Sequence, residues 1–263
     1  MVLLVENKTA SLEGIRVLTL NRPERKNALS PELVNVLIEA LVDADKERTV
    51  RVVVITGAEK AFCAGGDLSG GGGGPQGDGF FEQHKERGAF ADLLLTMRRM
   101  AKPTVAAVNG LALGGGFGVV LACDLAVAAD DAELGTPEVK RGLFPMMIAA
   151  LIFEQLPRKQ ANELVMLGGK VSGQRAVELG VVNRVVPRDE VLANAFETAK
   201  ALASLSPSVL ALGKRAITQQ LDMPFEQKLA FLRDQLTLNL HLEDAAEGVA
   251  AFLQKREPKW SGR

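Results

Sequence analysis

The sequence predicts an α/β fold: a largely parallel sheet followed by a helical C-terminal quarter. Short β-branched and apolar runs at 51–56, 104–108 and 124–128 are separated by segments whose apolar residues recur at helical spacing. Such alternation of strands and helices is typical of parallel sheets. From about residue 188 onward the pattern is almost wholly helical.

The N-terminal part begins with two strands and a helix. Segments 2–7 and 14–20 are rich in β-branched and apolar residues around Glu13-Gly14, which predicts a hairpin. Ser30-Pro31 then starts a helix that we expect to end near Glu47, because serine caps helix N-termini and proline suits the first helical position.

The C-terminal part is predicted as helices over 188–204, 207–220, 224–240 and 242–254. We therefore divide the chain into a core, 1–190, and a helical C-terminal region, 191–263, with subunit contacts as its expected role.

Composition excludes several classes of protein. The 263 residues contain 31 Lys and Arg against 32 Asp and Glu, so the chain lacks the basic excess of a nucleic-acid-binding protein. The only cysteines and histidines are Cys63, Cys123, His84 and His241, which leaves no zinc-binding pattern and predicts no metal site. No apolar stretch is long enough to span a bilayer, so we expect a cytoplasmic protein without membrane contact.

Two glycine-rich segments follow predicted strands: 61–68 (AFCAGGDL) and 109–124 (NGLALGGGFGVVLACD). The second is not a dinucleotide fingerprint, because the third glycine position counted from Gly114 holds Val119. Two such turns, each after a predicted strand of one sheet, can bring two backbone N–H donors to one point. One donor to a developing oxyanion is worth about 2.7–4 kcal/mol.

Beyond these segments, the ordered matches LNRPERKNALS, VVVITGAEKAFCAGGDL, KPTVAAVNGLALGGGFGVVLACDLAVAA, LGTPEVKRGLFP, ELGVVNRVVP and AFLQKREPKW cover nearly the whole chain. In these the chain resembles the crotonase, or enoyl-CoA hydratase/isomerase, superfamily. The resemblance implies a crotonase-type spiral of β-β-α units with a C-terminal helical region that forms homotrimers or hexamers. It also implies an enzyme for acyl-CoA thioesters that needs no cofactor, because coenzyme A is part of the substrate.

The same resemblance assigns roles to individual residues. It implies that Gly66 and Gly115 donate to the thioester carbonyl as an oxyanion hole and that Glu138 is the catalytic acid/base. Contacts to the coenzyme A adenine and phosphates are implied for segment 25–28 and for Lys255, the latter across a subunit boundary. The substrate-binding residues expected on this basis are Arg25, Lys26, Ala28, Ala64, Gly66, Asp67, Leu68, Gly115 and Lys255.

The sequence departs from the family pattern at Gly118. Hydratases of the best-known type have a second glutamate three residues after the oxyanion glycine, and here that position is Gly118. One carboxylate suits double-bond migration more simply than hydration, yet the related feruloyl-CoA hydratase/lyase type also lacks the glutamate at this position. Hydration and isomerisation therefore both stay open, and we expect a side chain added at Gly118 to point toward the pocket.

Two further interpretations concern function and specificity. The missing carboxylate also allows a catalytically idle relative that binds acyl-CoA or RNA and acts through its oligomer surface. The acyl chain is not encoded by any pattern, although residues 80–100 and Met146, Met147 and Ile148 are expected to contact it. The five glycines at 70–74 predict a mobile loop.

Overall fold

The computed structural model describes residues 1–67 and 79–263. Its strands, numbered in chain order, are β1 (Leu3–Asn7), β2 (Ile15–Leu20), β3 (Val52–Gly57), β4 (Ala61–Cys63), β5 (Thr104–Val108), β6 (Leu111–Leu113), β7 (Leu125–Ala129), β8 (Glu133–Gly135), β9 (Lys170–Ser172) and β10 (Arg184–Val186). Its α-helices are α1 (Pro31–Lys46), α2 (Phe80–Arg99), α3 (Gly115–Ala122), α4 (Met146–Gln155), α5 (Arg158–Leu167), α6 (Gly173–Glu178), α7 (Val191–Ala203), α8 (Pro207–Gln219), α9 (Phe225–Leu240) and α10 (Glu243–Gln254).

The larger sheet has the order β1-β2-β3-β5-β7-β10 in the described part of the chain. β1 pairs antiparallel with β2, which confirms the predicted hairpin. The remaining neighbours pair in parallel, as the alternation of strands and helices predicted. β3 and β5 are buried along their whole lengths, as is typical of strands covered on both faces.

A smaller sheet has the order β4-β6-β8-β9. The chain alternates between the sheets: β3 is followed by β4, β5 by β6 and β7 by β8, and a helix comes after each such pair. The fold is thus a spiral of β-β-α units, as expected. β4, β6 and β8 are parallel to one another, so their carboxyl ends meet at one edge.

The predicted cap of α1 is present. The Leu33 N–H donates to Ser30 Oγ at the start of α1, and α1 ends at Lys46, next to the expected Glu47. The buried apolar face of α1 includes Leu33, Leu37 and Leu41, which lie at helical spacing.

The C-terminal helices differ in how they contact the core. α7 packs across the larger sheet and buries Val191, Ala195 and Ala199. α8 is joined to the core by an ion pair between Lys214 Nζ and Asp124 Oδ2 at 2.6 Å. By contrast, no residue of α9 is buried. The division at residue 190 stays a prediction.

Candidate active site

Three predicted site residues follow the three parallel strands of the smaller sheet. Gly66 comes three residues after β4, Gly115 two residues after β6, and Glu138 three residues after β8. The Gly114 N–H donates to Gly135 O at 2.8 Å, which ties the end of β6 to the end of β8. The register of this short sheet therefore brings together residues that are 72 positions apart in the sequence, from 66 to 138.

The two glycine turns lie against each other. Gly65 has a φ of +98°, and a Cβ built on it would lie 3.5 Å from the Gly115 nitrogen. Gly65 O and the Asp67 N–H both bond to Leu29, so the Gly66 N–H faces the other way. Within the described residues, neither the Gly66 nor the Gly115 N–H donates to a backbone carbonyl.

Gly115 is the first residue of α3, where backbone N–H groups lack intrahelical acceptors. The positive end of the helix dipole adds to the attraction for negative charge at this point. Gly114, the residue before α3, has a φ of +52° and a ψ of −124°. This backbone conformation favours glycine.

Glu138 lies in the 3-10 turn Pro137–Arg141, and its side chain is half-buried. Its Oε1 is 2.7 Å from the position that a Cβ on Gly114 would take, so the carboxylate occupies space next to the start of α3. Its Oε2 is buried and has no hydrogen-bond partner among the described residues. Burial raises the pKa of Glu138, although its own backbone N–H and Arg141 act to lower it. A carboxylate whose pKa is raised in this way is a stronger base than an ordinary glutamate.

A cavity of about 310 Å³ joins these groups. Most of its wall is apolar, and Asp67, Arg87 and Glu138 are the charged residues among the described ones that line it. Its other lining residues are Leu29, Pro31, Val34, Gly66, Phe90, Gly115, Leu143, Phe144, Pro145, Met146, Met147 and Ile148. Such a pocket, apolar with a few convergent polar groups, is typical of a small-molecule site.

Segment 25–28 lies beside the first glycine turn. The Ala64 N–H donates to Lys26 O at 2.9 Å, and the Leu29 N–H donates to Gly65 O at 2.8 Å. Asn27 is fully buried and donates to Ala61 O at 2.8 Å, which fixes the segment against β4. Arg25 and Lys26 are exposed, whereas Ala28 is buried. The structure thus brings segment 25–28 and Ala64 next to Gly66.

Two predicted residues lie elsewhere. Lys255 is exposed at the C-terminal end of α10, with a φ of 54°, and does not line the cavity. Leu68 and the glycines at 70–74 lie outside the described residues.

Several cavity residues were not predicted from the sequence. Leu29 and Val34 lie just before and inside the first turns of α1, and Phe144 precedes α4. Nothing in their spacing marks them as pocket residues. The Ser30-Pro31 motif was a usable signal for these residues. It marks the start of α1, and this end of the helix lies next to the first glycine turn.

Cys63 is not a candidate nucleophile. Burial raises the pKa of its thiol to about 12, so the reactive thiolate is scarce. The residue packs against Gly116, where a Cβ would lie 2.6 Å from Cys63 Cβ.

Comparison with known proteins agrees with this fold. The family model described as enoyl-CoA hydratase/isomerase matches residues 10–263. A carnitinyl-CoA dehydratase of Escherichia coli is 38% identical over 95% of this chain and 96% of that protein. The mitochondrial enoyl-CoA hydratase domain-containing protein 3 of Rattus norvegicus is 34% identical over 96% of this chain and 83% of that protein.

A solved structure gives the same result. The crystal structure of an enoyl-CoA hydratase from Mycobacterium smegmatis superposes with a TM-score of 0.92 at 32% identity and covers 99% of both chains. The fold and the cavity define an acyl-CoA enzyme of the crotonase superfamily. This chain belongs to the enoyl-CoA hydratase/isomerase family, and the sequence-based prediction of that family is confirmed.

The family and these relatives favour an enzyme over the idle acyl-CoA- or RNA-binding alternative. No helix within 1–67 and 79–263 is both long and apolar enough to cross a membrane. In the same ranges no cluster of three or more His, Cys, Asp or Glu residues could hold a metal ion.

Proposed function

We propose that the enzyme binds an enoyl-CoA with its thioester carbonyl at the Gly66 and Gly115 N–H groups and moves a proton with Glu138. The observation that carries this proposal is the meeting, in one cavity, of two backbone donors and a carboxylate oxygen that has no hydrogen-bond partner among the described residues. The donors stabilise negative charge as it develops on the thioester oxygen, and the carboxylate supplies the base.

The proton balance is simple for double-bond migration. Glu138 takes a proton from Cα of a 3-enoyl thioester, and the electron pair moves onto the thioester oxygen to give a dienolate. The resulting carboxylic acid returns the proton at Cγ, which leaves the 2-enoyl thioester. No cofactor takes part, since coenzyme A is a portion of the substrate.

Hydration requires more from the same carboxylate. Water adds at Cβ of a 2-enoyl thioester while the resulting enolate is protonated at Cα. Asp67 is the other carboxylate that lines the described cavity, and it is paired with Arg22 at 2.8 Å. Glu138 would then both orient the water and protonate Cα. Isomerisation uses the site more simply, whereas the names of the hydratase and dehydratase relatives favour reversible hydration.

The binding of coenzyme A and the assembly extend this proposal. Arg25 and Lys26 place positive charge beside the first glycine turn, where phosphates would be attracted, and Lys255 adds a further cation. The exposed apolar side chains of α9 and α10 suit a homotrimer or hexamer, in which Lys255 would reach a neighbouring subunit's site: Phe225, Leu229, Leu232, Leu236, Leu238, Leu240, Val249, Phe252 and Leu253. The cytoplasmic location stays a prediction.

A substrate panel tests the proposal. The pure protein is incubated with 2-enoyl-, 3-enoyl- and 3-hydroxyacyl-CoA thioesters of one chain length. The products are separated by liquid chromatography and identified by retention time and by mass spectrometry. We expect interconversion of at least two of the three. Absence of turnover on all three would contradict the proposal.

A further inference from the structure

One face of α3 carries no side chains where it borders the cavity. Gly114 and Gly118 lie one turn apart, and the Gly118 N–H donates to Gly114 O at 3.0 Å. Side chains of the segment that follows β8 fill the space next to each glycine. Glu138 covers Gly114, whereas a Cβ built on Gly118 would overlap Ile148 Cγ2 and lie 3.3 Å from Phe90 Cζ.

Ile148 forms a rigid part of the cavity wall. It is the third residue of α4, is 3% exposed, and lines the cavity. A β-branched side chain in a helix has one strongly preferred rotamer, so Cγ2 cannot turn away from Gly118 at low cost. Phe90 of α2 closes the same corner from the other side, because it also contacts the space above Gly115.

The position of Ile148 relative to the Gly115 N–H indicates which part of a bound acyl group it would contact. Gly118 is three residues beyond Gly115, a rise of about 4.5 Å along the helix axis. A thioester held at the Gly115 N–H would direct its Cα toward Glu138. The carbons beyond Cα would then pass Ile148, which lines the cavity.

We infer that Ile148 is a specificity-determining residue that restricts the enzyme to acyl groups without a branch at Cβ. This inference rests on the proposed function, because the carbonyl position sets the direction of the acyl group. Gly118 and Ile148 act as one packing unit, in which the missing side chain of one makes room for the branch of the other.

A linear and a branched substrate test the inference. The probes are crotonyl-CoA and 3-methylcrotonyl-CoA, compared by kcat/KM with the wild-type chain, Ile148→Ala and Ile148→Leu. We expect Ile148→Ala to raise the branched-to-linear ratio by at least about 10-fold, since one methylene in an apolar pocket discriminates by 10- to 200-fold. Ile148→Leu keeps the volume but removes the branch at Cβ, so it tests the same contact if the alanine variant does not fold.

Ile152 supplies the matched control. It is the same residue type on the same helix, one turn further along, fully buried and absent from the cavity lining. Ile152→Ala and Ile152→Leu should leave the branched-to-linear ratio within about twofold of wild type, whatever they do to stability. A shift equal to that of the Ile148 variants would overturn the inference.

A binding measurement separates this inference from the proposed function. The dissociation constants of butanoyl-CoA and 3-methylbutanoyl-CoA are measured by calorimetry, which needs no turnover. If the wild-type chain binds both but converts neither unsaturated probe nor any thioester of the substrate panel, the proposed function fails, and the ratio of the two dissociation constants still decides the role of Ile148. An unchanged ratio in Ile148→Ala and Ile148→Leu, in binding and in turnover, would overturn the inference.

Discussion

Arg22 Nη2 donates to Asp67 Oδ2 at 2.8 Å, and both side chains are largely buried, at 16% and 12% exposure. The same guanidinium donates through Nη1 to Ala28 O at 2.7 Å. Asp67 thus holds the segment before α1 against the first glycine turn. Its charge is compensated by Arg22, whereas Glu138 Oε2 has no partner among the described residues. This contrast supports the proposed role of Glu138, rather than Asp67, in the proton chemistry.

The pH dependence of turnover should reflect the buried state of Glu138. Burial raises the pKa of Glu138, and a base is active only when ionised. We therefore expect kcat/KM to fall, as pH decreases, at a higher pH than the range of an ordinary glutamate. Arg141 lowers this pKa, so Arg141→Gln should move the acidic limb to still higher pH.

Lys140→Gln is the matched control for Arg141→Gln. It removes a neighbouring positive charge that does not contribute to the pKa shift of Glu138. Its pH profile should stay close to wild type. Equal shifts for both variants, or none for Arg141→Gln, would contradict the electrostatic account.

A substitution at Gly115 can remove its backbone N–H group and leave the neighbouring residues unchanged. Gly115→Pro lacks the donor, and proline is tolerated at the first position of a helix. We expect kcat to fall by about 10²–10³ with a smaller effect on ground-state binding. Steady-state kinetics and calorimetry measure the two.

Gly115→Ala controls for crowding at this position. Its Cβ would lie 3.1 Å from Leu29 Cδ1 and 3.4 Å from Phe90 Cζ, as the proline Cβ would, but it keeps the N–H. If the alanine and proline variants lose the same activity, the effect is steric and the donor role of Gly115 is wrong.

The structure changes what can be expected of Gly118→Glu. A side chain there does point at residues that line the cavity, but Ile148 Cγ2 already fills the space. We expect Gly118→Glu alone to lower stability through overpacking by about 1–3 kcal/mol. Combined with Ile148→Ala, the new carboxylate has room and should raise the ratio of water addition to double-bond migration on one enoyl-CoA.

Thermal unfolding and product ratios check this pair of variants. Normal stability of Gly118→Glu alone would show that the Ile148 contact does not limit the site. An unchanged product ratio in the stable double variant would mean that the missing carboxylate does not bias the reaction.

Lys255 should affect the nucleotide end of the substrate only. We expect Lys255→Ala to raise KM for an enoyl-CoA several-fold and to leave KM unchanged for the matching enoyl-pantetheine, which lacks the nucleotide. Lys259→Ala, which changes another exposed lysine of the C-terminal segment, is the control. Equal effects on both thioesters would contradict a contact between Lys255 and the phosphates or adenine.

Much of the larger sheet could be predicted from the sequence because its central strands are runs of five or six β-branched or apolar residues. Helix α1 could be predicted because Ser30 and Pro31 mark its start and Leu33, Leu37 and Leu41 its buried face. These signals are local, and they can be recognised without knowing which other elements of the fold pack against them.

The smaller sheet could not be predicted in the same way. Its strands have three residues each, too few for a period-two pattern to be recognised. The parallel register of β4, β6 and β8 is nevertheless what brings Gly66, Gly115 and Glu138 together. The overlap of Ile148 with the space above Gly118 was likewise hidden, because it depends on how α4 packs against α3.

The most direct measurement of the central claim compares wild type with Glu138→Gln on the enoyl-CoA that the wild-type chain converts fastest. The amide keeps the shape of the side chain and loses its basicity, so we expect kcat to fall by about 10²–10⁴. The dissociation constant for the saturated acyl-CoA should stay within about threefold, since the backbone donors are intact. A Glu138→Gln variant that retains more than about a tenth of wild-type kcat would contradict the assignment of Glu138 as the catalytic base.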